Sequence, residues 1–409
     1  MDLLVVTADV PATSAMPGSP RLVNLCRHLS ARHKLVLLTG CSDPVALARL
    51  RAESDRCGVF SEIAVLPAKP AVRWWNRQAH RVRAAANLHT RYRYPEYHRT
   101  LRTLVNGRLA TMGPSALLYV DGLEMTQYYT GDPRRALVDL HDSPSLVATQ
   151  ALGMERSRYR RLSLRLERHR MVQWECALAT SFAAIIVNSP VDQAVTRALS
   201  PRANTWTVSN GIDTEFFQPA AAPATGSAIV FTGVMDYKPN ADAVHFFCDA
   251  IFPIIQAALP DTEFWAVGAN PSAALQDLNG RPGVHVTGTV ADVRPYLRSA
   301  AVFVCPLRFG SGMKNKILAA MAMRLPVIAT PISLAGIDVR PGCDVLMAEA
   351  PEEFAENVVR LLADRDESRS LAEAGHARVL QHYSWQAKAA TFDTVLEKLA
   401  DHLLARQGA

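Results

Sequence analysis

The chain alternates short β-rich runs with helical stretches, and it does so twice over. Parallel strands need a crossover of a dozen or more residues between them, usually a helix. Strands covered on both faces also read as nearly unbroken apolar runs. The first half supplies "LLVVTA", "KLVLLT", "EIAVLP", "ALLYV", "ALVDL", "AAIIVNS" and "TWTVS". The second supplies "AIVFTG", "EFWAVG", "VHVTG", "AVFVCP", "PVIAT" and "DVLMAE". This rhythm predicts an α/β protein of two doubly wound, Rossmann-like domains facing a cleft. An Ala/Pro/Gly/Ser stretch at 219–227 has linker composition. The expected division is therefore 1–218, 219–383, and a final amphipathic helix over 384–409 that reaches back to the first domain.

At 409 residues, two domains are the natural expectation, and 49% apolar residues suffice for two cores. No run approaches the roughly 18 apolar residues that a bilayer span needs, and the start lacks a basic leader, so a cytoplasmic protein is expected. Seven cysteines form no Cys-x-x-Cys pair and no zinc spacing, which predicts reduced thiols and no metal. The net charge of +6 is uneven. Residues 1–225 carry 28 Lys/Arg against 18 Asp/Glu, whereas residues 226–409 carry 16 against 20. The halves thus suit different partners.

Doubly wound sheets bind ligands just beyond the carboxyl ends of their strands. Four stretches lie there. "RFGSGMKNK" follows "AVFVCP" and opens a helix. Gly310 and Gly312 allow close backbone approach, the helix start favours an anion, and Arg308, Lys314 and Lys316 add charge. The bland alternative is a glycine turn with solvated lysines. Gly233 ends the first strand of the second half, with Lys238 and Asn240 close behind; Asn240 reads most simply as a helix N-cap. Gly18 lies in the loop after the first strand. His141, in "VDLHDSPS", follows another strand and is suited to bind a hydroxyl or move a proton. No Gly-x-Gly-x-x-Gly fingerprint is present.

Residues 69–108 hold ten Lys/Arg against one acid, Glu96, with Trp74, Trp75, Tyr92 and Tyr94 interleaved. A second basic run covers 156–170. Basic helices with tryptophans suit an anionic membrane surface, and Arg73, Arg77 and Arg81 would share one helical face. A solvated helix face is the simpler reading. No nucleic-acid module accompanies the basic residues, so nucleic acid is not the expected partner.

Taken together, "FTGVMDYKPN", "VHVTGTVADVRPYL", "VFVCPLRFGSGMKNKILAAMAMRLPVIAT", "YSWQ" and "TWTVSNGIDTEFFQP" resemble the family 4 retaining glycosyltransferases of GT-B fold. The likeness is nearest to a bacterial subgroup tied to exopolysaccharide synthesis, and is most specific over residues 200–400. It implies a nucleotide-sugar donor held by the second domain and a glycan or lipid-linked acceptor entering from the first. The diphosphate would lie by Gly233 and the turn carrying Arg308, Gly310, Ser311, Gly312, Met313, Lys314 and Asn315, with the base near Thr289 and Val290. His141 and Lys316 would be the catalytic residues. The resemblance implies no cofactor and no metal, so protein cations would balance the leaving diphosphate.

The sequence departs from the pattern. The family's two glutamates fall on Ser311 and Ala319, its glycine before the next strand on Arg324, and its frequent arginine after the first strand's glycine on Val234. A catalytically degenerate, membrane-associated partner protein is therefore the alternative. A nucleotide-sugar epimerase is a further one, but no acidic pair suited to it stands out.

Overall fold

A computed structural model describes residues 1–11, 21–70, 94–155, 157–219, 226–310 and 312–405. The chain divides into two compact units, Met1–Ser209 with Lys388–Ala409, and Asn210–Ala387.

Among the described residues, unit 1 is built on seven parallel strands: β1 (Asp2–Thr7), β2 (Lys34–Thr39), β3 (Glu62–Val65), β4 (Leu117–Asp121), β5 (Ala136–Asp139), β6 (Ala184–Val187) and β7 (Thr205–Thr207). Their order is β3-β2-β1-β4-β5-β6-β7. Leu3, Leu4 and Val5 are fully buried, as are Leu117, Leu118 and Tyr119. That burial explains why these strands read as unbroken apolar runs. The order reverses between β1 and β4, which pair in register from Leu3 with Leu117 to Val6 with Val120. This is the topological switch point, where the crevice for a ligand opens.

The helix Trp385–Leu404 gives most of its length to unit 1. Phe392 packs on Tyr119 at 4.8 Å between ring centroids. Asp393 takes a 2.6 Å hydrogen bond from buried His33 and also pairs with Arg32. These contacts tie the helix to β4 and to the residues that lead into β2.

Among the described residues, unit 2 has six parallel strands: β8 (Ile229–Thr232), β9 (Phe264–Val267), β10 (Val284–Val286), β11 (Val302–Cys305), β12 (Val327–Ala329) and β13 (Leu346–Met347). Their order is β10-β9-β8-β11-β12-β13, with the switch point between β8 and β11. The core gathers Phe231, Phe247, Phe252, Phe264 and Phe354 against the buried sheet.

One expectation needs correction. A 21-residue helical run, Lys238–Ala258, is long and apolar enough by composition to cross a bilayer. Its apolar face has another use, since Phe247, Ile251, Phe252 and Ile255 are all buried in the core of unit 2. The run widens to a π-helical turn over Phe247–Ile251. Pro253 lies just beyond, and its ring clashes with the carbonyl four residues back in an ordinary helix.

Candidate functional site

In unit 2 the switch point places the turns after β8 and β11 side by side. The end of β11 is fixed from below. Thr330 Oγ1 donates to the Leu307 carbonyl at 2.6 Å, and Ser333 Oγ donates to the Cys305 carbonyl at 2.7 Å. The chain then turns through Gly310 (φ 131°) and Gly312 (φ 73°), conformations that suit glycine, and enters the helix Asn315–Ala322. That helix starts with no side-chain cap and no acid in its first turn, so its positive end is left for another group.

Gly233, Asn240 and Lys316 meet at this point. Lys316 Nζ donates to Asn240 Oδ1 at 2.7 Å and lies 4.1 Å over the Phe231 ring. Asn240 Nδ2 donates to the Val234 carbonyl at 2.8 Å. A Cβ on Gly233 would fall 2.6 Å from Lys316 Nζ and 2.7 Å from Asn240 Nδ2, so any larger residue would displace this pair. Gly268 presses on the Gly233 backbone from the other side. Asn240 is not the N-cap it resembles in the sequence: Tyr237 holds that position, and the asparagine lies inside the first turn, with its amide spent on the lysine. Burial disfavours the Lys316 ammonium and lowers its pKa to about 8; the neighbouring Lys314 charge pushes the same way.

Solvated lysines are also overturned. Lys314 is only 8% exposed and donates to the Gly312 carbonyl at 2.5 Å. Its pKa is lowered, chiefly by burial. Arg308 is exposed but engaged: it forms a two-pronged ion pair with Asp242 and stacks on Phe246. Met313 packs against the core. The Asn315 side-chain oxygen is buried with no partner among the described residues. Lys238 is exposed at the start of its helix, Thr289 is exposed after β10, and Val290 packs on the core. Ala319 is 7% exposed within the core cluster. Arg324 has φ 54°, the conformation for which glycine is expected. Gly18, Arg73, Trp74, Trp75, Arg77, Arg81 and Ser311 lie outside the described residues.

Unit 1 has its own site at its own switch point. β1 ends at Thr7, β4 at Asp121 and β5 at Asp139, so three polar side chains gather at adjacent strand ends. His141 Nε2 is 2.8 Å from Asp121 Oδ1, and Thr7 Oγ1 donates to Asp121 Oδ2 at 3.0 Å. Asp139, fully buried, accepts from Arg21 at 2.7 Å, Tyr119 at 3.1 Å and the His141 amide at 3.2 Å. Burial disfavours the imidazolium, but the Asp121 hydrogen bond and the charges of Asp139 and Asp121 outweigh it, so the His141 pKa is raised. His141 also has φ 65°, rare for a residue with a side chain and a form of strain that concentrates at functional positions. A cavity of about 550 Å³ opens here. Its polar end is Thr7, Asp121 and His141; Val147, Ala151, Leu164 and Met171 line the rest, with Glu167 beside them. Sequence reading found His141 but missed Thr7, Asp121 and Glu167. The available signal was a polar residue closing an apolar strand, as in "LLYVD".

The helix Pro144–Met154 below His141 is held by a buried carboxylate. Glu175 accepts from Ser143 Oγ at 2.9 Å, the Ser145 amide at 3.2 Å and Thr196 Oγ1 at 2.6 Å.

Two Rossmann-like parallel-sheet units, each with polar groups at its switch point, define the GT-B fold. Residues 226–364 match the family of glycosyl transferases group 1. Among curated proteins, the chain is 28% identical over 207 residues to alpha-maltose-1-phosphate synthase of Mycobacterium tuberculosis. That match covers 44% of the chain and 52% of the relative, so the chain spans about half the length of the relative it matches. Among solved structures, sucrose-phosphate synthase from Thermosynechococcus elongatus superposes with a TM-score of 0.63 at 18% identity, covering 97% of this chain and 98% of that one. Anabaena Alr3699/HepE, solved with UDP and glucose, does so with a TM-score of 0.60 at 13% identity, covering 97% and 100%.

Proposed function

We propose that the protein is a family 4 retaining glycosyltransferase that moves a sugar from a nucleotide-sugar donor to a glycan or lipid-linked acceptor in cell-surface glycan synthesis. The observation that carries this reading is the Gly233–Asn240–Lys316 cluster at the switch point of the unit matching glycosyl transferases group 1. A bare strand-end glycine, an uncapped helix start and a half-sheltered ammonium suit a diphosphate. In this reading Lys316 balances the charge that develops on the leaving diphosphate. His141, oriented by Asp121, receives the sugar in unit 1 or the acceptor hydroxyl. The leaving phosphate itself takes the acceptor's proton, so no separate base is required. The work is done at an anionic membrane surface, where a lipid-linked acceptor is found.

Ala319 favours one alternative, a partner protein that has lost transfer. A thermal-shift screen against a panel of nucleotide sugars tests the donor, because a ligand that binds only the folded state raises the melting temperature by mass action. Incubation of the stabilising donor with purified protein then tests the chemistry. Release of nucleoside diphosphate, blocked by Lys316→Met, supports the transferase. Binding without any turnover supports the alternative.

A further inference from the structure

The helix Arg158–Ser181 turns two different faces outward. Leu164, Glu167 and Met171 line the unit 1 cavity. Successive residues of an α-helix are about 100° apart. On that wheel Tyr159, Leu162 and Leu166 fall in one stripe, roughly opposite the cavity side. All three are bare: Tyr159 is 91% exposed, Leu162 60% and Leu166 50%. A contiguous exposed apolar stripe with a polar rim is the pattern of an interaction surface.

The charges around the stripe say what covers it. Residues 157–170 contain six arginines and one acid, Glu167. Arg158 and Arg165 flank the stripe on one side and Arg170 on the other, with Arg168 and Arg161 further round. An apolar stripe bordered by arginines is the pattern of a helix lying in the headgroup layer of a membrane. Its side chains reach the acyl boundary while guanidinium groups meet lipid phosphates.

We propose that this outer face of the helix is a docking surface for an anionic lipid bilayer. It differs from the basic stretch at 69–108, and it rests on the reading of a transferase with a membrane-borne acceptor. The same helix would then touch lipid with one face and wall the acceptor cavity with the other. A lipid-linked substrate would need to leave the bilayer by little more than the width of a helix, about 10 Å.

The test is co-sedimentation of the full chain with vesicles of phosphatidylcholine alone or with phosphatidylglycerol added. Three proteins are compared: wild type, Arg158→Glu/Arg165→Glu/Arg168→Glu, and Leu162→Ser/Leu166→Ser. The wild type should sediment only with phosphatidylglycerol, and less so as salt rises from about 0.1 M to about 1 M, where the screening length falls from about 10 Å to about 3 Å. Both variants should fall to the phosphatidylcholine level with unchanged melting temperature. Wild-type behaviour in both variants would overturn the proposal, as would a wild type that never sediments. A wild type that self-associates in a centrifuge, with variants that do not and no vesicle binding by any of them, would assign the face to a second copy instead. Donor-induced thermal shifts on the same samples keep the two readings apart. No shift in the wild type defeats the donor reading, whereas lost sedimentation with a retained shift supports docking.

Discussion

Lys316 Nζ donates to Asn240 Oδ1 at 2.7 Å while standing 4.1 Å over the Phe231 ring. One amide oxygen and one aromatic face are modest compensation for a sheltered ammonium, and its pKa falls, mainly through burial, to about 8. The sign follows directly. From about pH 8 up to the ordinary lysine range the unfolded chain holds this proton and the folded chain does not, so stability from this group rises with pH. An anion beside Lys316 reverses the shift. Binding of UDP near pH 8 should therefore take up protons. Calorimetry in buffers of different ionisation enthalpy reads that uptake directly. It should vanish in Lys316→Met, and equal uptake in both proteins would remove Lys316 from the diphosphate site.

The Asn240 amide should matter to binding more than to folding. Asn240→Ala removes the acceptor that aims Lys316 and leaves the Val234 carbonyl with only the Tyr237 amide, at 3.3 Å. A hydrogen bond to a charged group is worth about 1.5–3 kcal/mol, so UDP affinity should fall about 10- to 150-fold. Asn240→Asp keeps the geometry but raises the lysine pKa, and should abolish the proton uptake near pH 8. Titration calorimetry on both variants checks this. Unchanged affinity in Asn240→Ala would mean that the lysine finds its position without the asparagine.

His141 is held by Asp121 at 2.8 Å in a left-handed backbone conformation. Its pKa is raised above the usual 6.5, so its charged form contributes stability that is complete below that value and is lost as pH climbs through the folded one. Asp121→Asn should flatten that loss in pH-dependent denaturant melts. His141→Ala should lower turnover about 10- to 150-fold while changing the melting temperature little, because the strained backbone remains. His141→Gly relieves the strain and should be more stable than His141→Ala by about 1 kcal/mol. An alanine variant that melts far earlier but turns over normally per folded molecule would make the histidine structural.

The strands were the most legible part of the chain. Each strand among the described residues has its counterpart among the runs of the sequence, and in central strands such as β1, β4 and β6 burial on both faces leaves nearly continuous valine, leucine and isoleucine. His141 and Gly233 stood out as polar or glycine residues closing such runs, and Lys316 as a cation at the helix start beyond the glycine turn that follows β11. Asn240 was visible but misread, since its partner is 76 residues away and nothing local marks the pair. Asp242 and Arg308 were likewise separated by 66 residues, so the arginine read as a free cation. The buried ring of Arg21, Asp139 and Tyr119 had no local signal either. Spacing along a helix or strand is legible, but pairing between crossovers is not, because a doubly wound sheet brings together residues from distant crossovers.

Arg324 offers a test of stability alone. The Leu325 amide bonds the Ala320 carbonyl and the Arg324 amide bonds that of Met321, both at 3.0 Å, which closes the helix Asn315–Ala322 in a Schellman turn. The turn wants a left-handed residue, and Arg324 supplies φ 54° at a cost that glycine avoids. Arg324→Gly should stabilise unit 2 by about 1 kcal/mol, read as a higher denaturant midpoint with unchanged slope. A lower midpoint would show that the exposed arginine side chain contributes more than its backbone costs.

Ala319 sits one helical turn after Lys316, and the two share a face. The alanine is 7% exposed, so a glutamate here would be largely buried. Side chains on a helix lean toward its start, which carries this carboxylate toward Lys316 and the helix-start amides rather than deeper into the core. A ribose hydroxyl beside the diphosphate would give the carboxylate its partner. Ala319→Glu should therefore lower the melting temperature of the ligand-free protein while tightening UDP by up to about 150-fold. The same substitution should do little for 2′-deoxy-UDP if the ribose 2′-hydroxyl is the group it meets. Parallel calorimetric titrations with the two nucleotides decide. Weaker UDP binding in the variant would mean that the pocket has closed around alanine, and equal tightening of both nucleotides would exclude the 2′-hydroxyl as the partner and leave the 3′-hydroxyl or Lys316.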